Sequence, residues 1–422
     1  MNKQVNPRRS MLAACLGLVL SVATAAQPAT RWVASWGAAQ QVPEPHNELA
    51  AHLWTDATLR QIVHTSLGGA RLRVRISNAF GTEPLLLDGA GIARARAPGD
   101  ASIDASSARP LTFDGRATVT IPAGGEYYSD AVTLVHAAGA DLAISLYFKA
   151  PPARQTGHPG SRATSFVGAG DRVAVANWDD AVKVEHWYAL ADVEVQAPPG
   201  TRAVVAVGDS ITDGNGATTD ANNRWPDLLA RRLAASGRPL GVVNAGIGGG
   251  RMLRDGLGPN LVARFERDVL GRAGVSHAIV MIGVNDLGNL HRNVSDEPAL
   301  RARLLEDLRQ AYRQLVERAH GRGICVVGGT ITPYGGSDYY KPGPVNEADR
   351  RQLNDWIRTS GIFDGVADFD AALRDPAAPH LLRKEFDKGD GLHPSGAGMR
   401  ALADAVPLES LRGCRSARGA KP

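Results

Sequence analysis

Four short stretches of this 422-residue chain carry the side chains that acyl chemistry needs. Ser210 stands in "GDSITDG", Asn285 in "GVNDL", and Asp390 and His393 in "DGLHPSGAG". Between them, "AGIGGGR" (245–251) places three glycines in succession. A serine hydroxyl is a poor nucleophile until a base takes its proton, and histidine is the usual base at neutral pH. The imidazole in turn needs an acid on its second nitrogen to set the tautomer and stabilise the imidazolium. Only two residues separate Asp390 from His393, so one turn can hold both side chains on the same side. The tetrahedral intermediate of such a reaction carries an oxyanion that requires fixed donors. The backbone N–H of Ser210, a backbone N–H of the glycine turn and the amide of Asn285 are the candidates.

Two kinds of element position these groups. From about residue 30 to 196 the hydrophobic period is two: "RLRVRISN" (71–78) sets Arg71, Arg73 and Arg75 against Leu72, Val74 and Ile76. "DLAISLYF" (141–148) places Leu142, Ile144, Leu146 and Phe148 on one face. Short alternating strands between turn residues predict an antiparallel β-sandwich. From 201 to 412 the pattern changes to continuous apolar runs at 203–207, 241–243, 278–282 and 324–327, with a weaker one at 361–369. Such runs suit strands buried on both faces. Helical stretches alternate with them, as in "PALRARLLEDLRQAYRQLVERAH", where Leu300, Leu304, Leu308 and Leu315 mark an apolar stripe. Strand–helix alternation predicts a parallel sheet covered on both sides. Sites in such sheets form at the carboxyl ends of the strands. Ser210, the glycine turn and Asn285 each follow a strand, and His393 precedes a last helix for which Ser395 is the natural N-cap.

With the four blocks "GDSITDG", "NAGIGGG", "GVNDL" and "DGLHP" in order, the stretch 202–410 resembles the SGNH, or GDSL, hydrolase family. The resemblance implies an α/β, flavodoxin-like three-layer domain with a parallel sheet, and hydrolysis of carboxylic esters. It also implies Ser210 as nucleophile, His393 as base, Asp390 as acid, and Ser210, Gly249 and Asn285 as the oxyanion hole. Gly249 follows from counting onward from Asn244, with Gly248 the alternative. The layout is similar to a branch of the family linked to xylan esterases. The expected function is therefore a secreted serine esterase acting on short-chain esters, O-acetyl groups on a polysaccharide above all. A general aryl-ester or lysophospholipid esterase is the alternative, and a non-catalytic carbohydrate-binding protein a third. The serine mechanism needs no cofactor and no metal.

Other residues read as structural. Asp209, Asp213 and Asp286 suit turn capping, Trp225 the core, and "GHPGSRATSF" (157–166), with its His and Arg, a plain surface loop, a substrate-contacting loop from the sandwich being the lesser alternative. Asp387 is a second candidate acid with poorer spacing to His393. Residues 1–25 read as a signal peptide: a basic start, an apolar run and Ala23-Thr24-Ala25 before the cut. That predicts a secreted or periplasmic protein. Without Lys3, Arg8 and Arg9 the formal net charge drops from +4 to +1, so charge gives no case for a nucleic-acid partner. The expected partner is a small-molecule or polysaccharide ester, with no stable membrane association. Absence of Gly-x-Ser-x-Gly and of phosphate-binding glycine motifs argues against α/β-hydrolases and nucleotide-binding domains. Cys325, in "GICVVGGT", reads most simply as a buried thiol, a bridge to Cys414 being the lesser alternative.

Overall fold

The computed structural model describes Met1, Asn2 and residues 30–414. The remainder of the segment read as a signal peptide lies outside the described residues. In the N-terminal half the alternating segments become β1 (Arg31–Gly37), β2 (Ala57–His64), β3 (Gly69–Ser77), β4 (Gly89–Arg94), β5 (Asp141–Phe148), β6 (Ser165–Ala169) and β7 (Leu190–Ala197). β7 pairs antiparallel with β1 on one side and β3 on the other. The second antiparallel sheet runs β6–β2–β5–β4. Register sets Leu146 of β5 opposite Leu59 of β2 and Leu142 opposite Val63. Leu142, Ile144, Leu146 and Phe148 thus share one core with Leu72, Val74 and Ile76 of the facing sheet, as alternation predicts.

The outward faces depart from that simple pattern, because they are covered rather than solvated. Arg60 of β2 is fully buried and donates to Ser145 Oγ and to the carbonyls of Ala101, Val175 and Arg172. Arg75 of β3, expected on the polar face, is buried against Asp192 and Glu126. The C-terminal half lies over this face: Arg272 reaches Asp192 at 2.7 Å and donates to the carbonyls of Ala38 and Ala191. A buried charge left unsatisfied is costly, so Arg75 and Arg272 are ion-paired and Arg60 is satisfied by carbonyl and hydroxyl oxygens. Ser66 Oγ also accepts from Val242 N at 2.8 Å, and one apolar core runs through both halves. The connection from Ala197 to Ala203 therefore joins two docked bodies.

In the C-terminal half the apolar runs form β8 (Ala203–Gly208), β9 (Gly241–Gly246), β10 (Val275–Met281), β11 (Cys325–Gly329) and β12 (Gly365–Ala367). All pair in parallel in the order β9–β8–β10–β11–β12, the flavodoxin-like order. Both faces are covered: Val205, Val207 and Val280 join one core, Val204, Ala206 and Ile279 the other. Trp225 lies fully buried in the second. The helices used below are α1 (Ser210–Asp213), α2 (Trp225–Ala235), α3 (Val284–Asn293), α4 (Pro298–His320), α5 (Pro344–Thr359) and α6 (Gly396–Ala405).

Two expectations need correction. The buried face of α4 runs through Leu305, Leu308, Tyr312, Leu315 and Ala319, and Leu300 is exposed. Leu300 lies in the first turn of the helix, where periodicity alone cannot tell a covered turn from an exposed one. Cys325 is not a free thiol: it is disulfide-bonded to Cys414, 89 residues along the chain. The chain after α6 folds back beneath β11, a long-range return that no local pattern encodes. Among the described residues no helix is long and apolar enough to cross a membrane.

Candidate active site

β8 delivers Ser210 through a tight strand-to-helix turn. A side chain on Gly208 would collide with Met281 O and Thr212 Oγ1, so the strand end admits only glycine. Asp209 then caps α1, accepting from Ile211 N at 3.0 Å. This leaves Ser210 at the first helical position, its N–H without an acceptor among the described residues. From the opposite side, the loop before α6 brings His393, with Nε2 2.8 Å from Ser210 Oγ. His393 Nδ1 lies 2.7 Å from Asp390 Oδ2, while Asp390 Oδ1 accepts from the N–H groups of Leu392 and His393. Ser395 caps α6 through Gly398 N, which anchors the loop.

Burial opposes ionisation of Asp390, but the bonds from the His393 N–H and ring, with that of Leu392, outweigh it and hold the carboxyl at about 2. It is therefore a carboxylate throughout the working range, and an acceptor that fixes the proton on Nδ1. Nε2 is left as the acceptor facing the serine. Burial pushes His393 below the ordinary imidazole range; Asp390 opposes this, and the charges of Lys388 and Arg162 reinforce it.

The glycine turn sits across the cleft. Gly250 N donates to Ile247 O at 3.0 Å, closing a β-turn whose third residue, Gly249, has φ +65°. That left-handed position favours glycine. The N–H of Gly249 donates to no protein acceptor among the described residues, and Gly248 and Gly249 both face the cleft. Asn285, buried at the start of α3, donates through Nδ2 to Gly250 O at 2.8 Å and accepts from the Tyr340 hydroxyl at 2.6 Å. These bonds orient the amide, and its second N–H remains for a ligand.

All the sequence candidates therefore meet at one cleft of about 820 Å³. Asp209, Asp213 and Asp286 hold structure: Asp286 accepts from Met252 N and Leu253 N, and Asp213 pairs with His158. Asp387 accepts from the N–H groups of Gly389, Asp390 and Gly391, closing the turn beneath the site without reaching the imidazole. The loop "GHPGSRATSF" is not a plain surface loop. Its Pro159, Gly160 and Arg162 form a wall of the cleft, and His158 is buried. Two further residues of the site were not singled out in the sequence. Tyr340 comes from the loop before α5, remote in sequence. Asn215 follows the first block, where its N–H bonds Ser210 O at 2.8 Å and its amide lies 3.3 Å from His393 Nε2. Its place just past α1, five residues after Ser210, is the signal that points to it.

If the free Asn285 N–H meets the oxyanion, Asn285→Ala lowers kcat by roughly 10²–10³-fold, about 3–4 kcal/mol. A loss below tenfold in steady-state kinetics excludes that role. The pH profile has a stated sign. Protonating Nε2 removes the acceptor, so activity falls on the acid side, at a pH below the ordinary imidazole value because the folded pKa is depressed. A kcat/KM profile with its acid limb above pH 7 contradicts this.

A doubly wound parallel sheet with a hydrogen-bonded serine, histidine and aspartate at its carboxyl edge has the architecture of a serine ester hydrolase. Residues 206–401 match the model of the GDSL-like Lipase/Acylhydrolase family. None of the curated proteins matches the chain. Solved structures similar to it include the lipase/acylhydrolase from Enterococcus faecalis, 21% identical over 50% of this chain and 97% of that one, with a TM-score of 0.38. A variant of Axe2, an acetyl xylan esterase from Geobacillus stearothermophilus, is 20% identical over 50% and 95%, with a TM-score of 0.36. A GDSL-like lipase from Bacteroides thetaiotaomicron is 16% identical over 50% and 88%, also with a TM-score of 0.36. The family match is confined to the C-terminal half, whose serine, histidine and aspartate at the strand ends form the site of a carboxylic ester hydrolase.

Proposed function

We propose that the protein removes short acyl groups, O-acetyl above all, from a polysaccharide through an acyl-enzyme on Ser210. The observation that carries this is the continuous set of bonds from Asp390 through His393 to Ser210, facing the free donors of Ser210, Gly249 and Asn285. Ser210 Oγ attacks the acyl carbon as His393 Nε2 takes its proton, and the carbonyl oxygen becomes an oxyanion held by those donors. Collapse breaks the ester bond, and His393 returns the proton to the departing alcohol. Water, deprotonated by the same nitrogen, then releases the acid and restores the serine.

The lining of the cleft supports a short acyl group on a hydrophilic alcohol. Around Ser210 it carries the amides Gln41, Asn47 and Asn289, the cations Arg162 and Lys388 and the acids Glu44, Glu185 and Asp338; its aliphatic side chains are Leu257 and Leu392. Such walls suit sugar hydroxyls better than a long hydrocarbon. One observation favours the second reading, a lipid or aryl esterase. A neighbouring groove of about 910 Å³ carries Leu253, Leu290, Val294, Leu300 and Leu304 and shares Arg251 and Asn289 with the cleft. An extracytoplasmic, oxidising location belongs to the proposal, supported by the Cys325–Cys414 bond.

The test is p-nitrophenol release from esters running from acetate to decanoate, by the wild type and Ser210→Ala. A maximum at acetate that vanishes in the variant agrees with the proposal, and a maximum at eight or more carbons replaces it with the second reading. Equal rates from both proteins leave a carbohydrate-binding protein on a hydrolase scaffold.

A further inference from the structure

The loop after β5 that the N-terminal sandwich sends into the cleft is built, residue by residue, against the element bearing the nucleophile. His158 Nε2 lies 2.8 Å from Asp213 Oδ1 at the end of α1, and its Nδ1 lies 2.8 Å from Ala39 O, with both side chains buried. Ser161 O accepts from Arg224 Nη1 at 2.7 Å, and Arg162 O from Asp220 N at 3.1 Å. Thr164 returns two bonds to the Asp220 carboxylate, at 2.7 and 2.6 Å. Held between these anchors, Arg162 adopts φ +49°, a left-handed conformation that a non-glycine residue keeps only when its surroundings impose it.

The Arg162 side chain lines the cleft with Ser210 and His393. Its Nε is buried with no hydrogen-bond partner, and among the described residues no carboxylate comes within ion-pair distance of its guanidinium. Of the other cations of the cleft, Lys388 is bonded to Asn215 Oδ1 at 2.6 Å and lies 3.2 Å from Asp390, while Arg251 donates to Asp255 O but, like Arg162, leaves its Nε without a partner. A buried donor without an acceptor is costly, and a guanidinium presents a planar fork of donors that matches a carboxylate. His393 hands its proton to the departing oxygen, so the alcohol portion lies on the His393 side of the cleft that Arg162 also lines.

We propose that Arg162, supplied by the sandwich, binds an anionic group on the alcohol side of the ester, the carboxylate of a uronic-acid residue in an acetylated polysaccharide. This rests on the esterase reading above. It makes the sandwich half of the substrate-binding surface and gives the enzyme a preference for acidic over neutral polymers.

The experiment measures acetate release from acetylated polygalacturonate and from the same polymer with its carboxylates methyl-esterified, by the wild type, Arg162→Gln and Arg162→Lys. The wild type is expected to favour the charged polymer. Arg162→Gln should lower the charged-to-neutral ratio of kcat/KM by ~10–100-fold, mainly through KM, with partial recovery in Arg162→Lys. An unchanged ratio in Arg162→Gln overturns the proposal, as does a wild type that cleaves p-nitrophenyl acetate but neither polymer. Loss confined to fatty-acid release from a lysophospholipid reassigns the anion to a phosphate and overturns the carboxylate. Should Arg162→Gln melt early, wild-type inhibition decides: galacturonate must compete where galactose does not. Failure of the esterase reading looks different, since no Ser210-dependent turnover of any ester remains.

Discussion

Ser210→Ala is expected to reduce kcat for p-nitrophenyl acetate by on the order of 10⁶-fold while leaving the melting temperature within a degree or two. The nucleophile contributes little to the fold. Its side chain makes one protein bond, to His393, and α1 is held instead by the Asp209 cap and the Asp213–His158 pair. Since the three side chains act as a unit, His393→Ala should cost about as much, and the double variant no more than either alone. A residual rate within a hundredfold of wild type would mean that another group attacks the ester. The measurement that separates these outcomes is single-turnover kinetics beside a thermal melt of the same preparation.

The second large effect concerns the acid. Asp390→Asn is expected to lower kcat by roughly 10⁴-fold with little loss of stability, because an amide keeps the acceptor that serves the Leu392 and His393 N–H groups. What changes is the atom facing His393 Nδ1. A donor there favours the tautomer with its proton on Nε2, which cannot accept from Ser210. Asp387→Ala is the informative contrast: Asp387 closes the turn through three backbone N–H groups that alanine leaves without an acceptor, and it does not touch the ring. It should lower the melting temperature more than the rate. If the two variants exchange these signatures, the acid is Asp387 and the loop rearranges in solution.

The site also explains why the sandwich is docked rather than tethered. Its outward face, which an isolated sandwich would give to water, is spent on Arg272, Arg75 and Asp192, and its loop walls the cleft. A sandwich free to move would take Arg162 and His158 away from α1.

What could be read directly from the sequence was whatever is local. The apolar runs of β8 to β11, buried on both faces, differ in period from the alternating β3 and β5, and that contrast separates the two architectures before any contact is known. Gly208, Asp209 and Ser210 are neighbours, as are Asp390 and His393, so each block carries the geometry of its own turn. Parallel strand order then places the blocks at one edge by topology. The tertiary structure alone decided the rest, and in each case the reason is distance along the chain. Cys325 meets Cys414 because the chain returns beneath β11. Arg75, set by alternation on the face opposite Leu72, Val74 and Ile76, is buried because the C-terminal half covers that face. The loop carrying Arg162 became a wall of the cleft through bonds to Asp213, Asp220 and Arg224, none of which periodicity or turn chemistry can pair with it. Hydrophobic period and turn residues act over a few positions, whereas burial of a charge and closure of a cleft depend on which distant surface arrives.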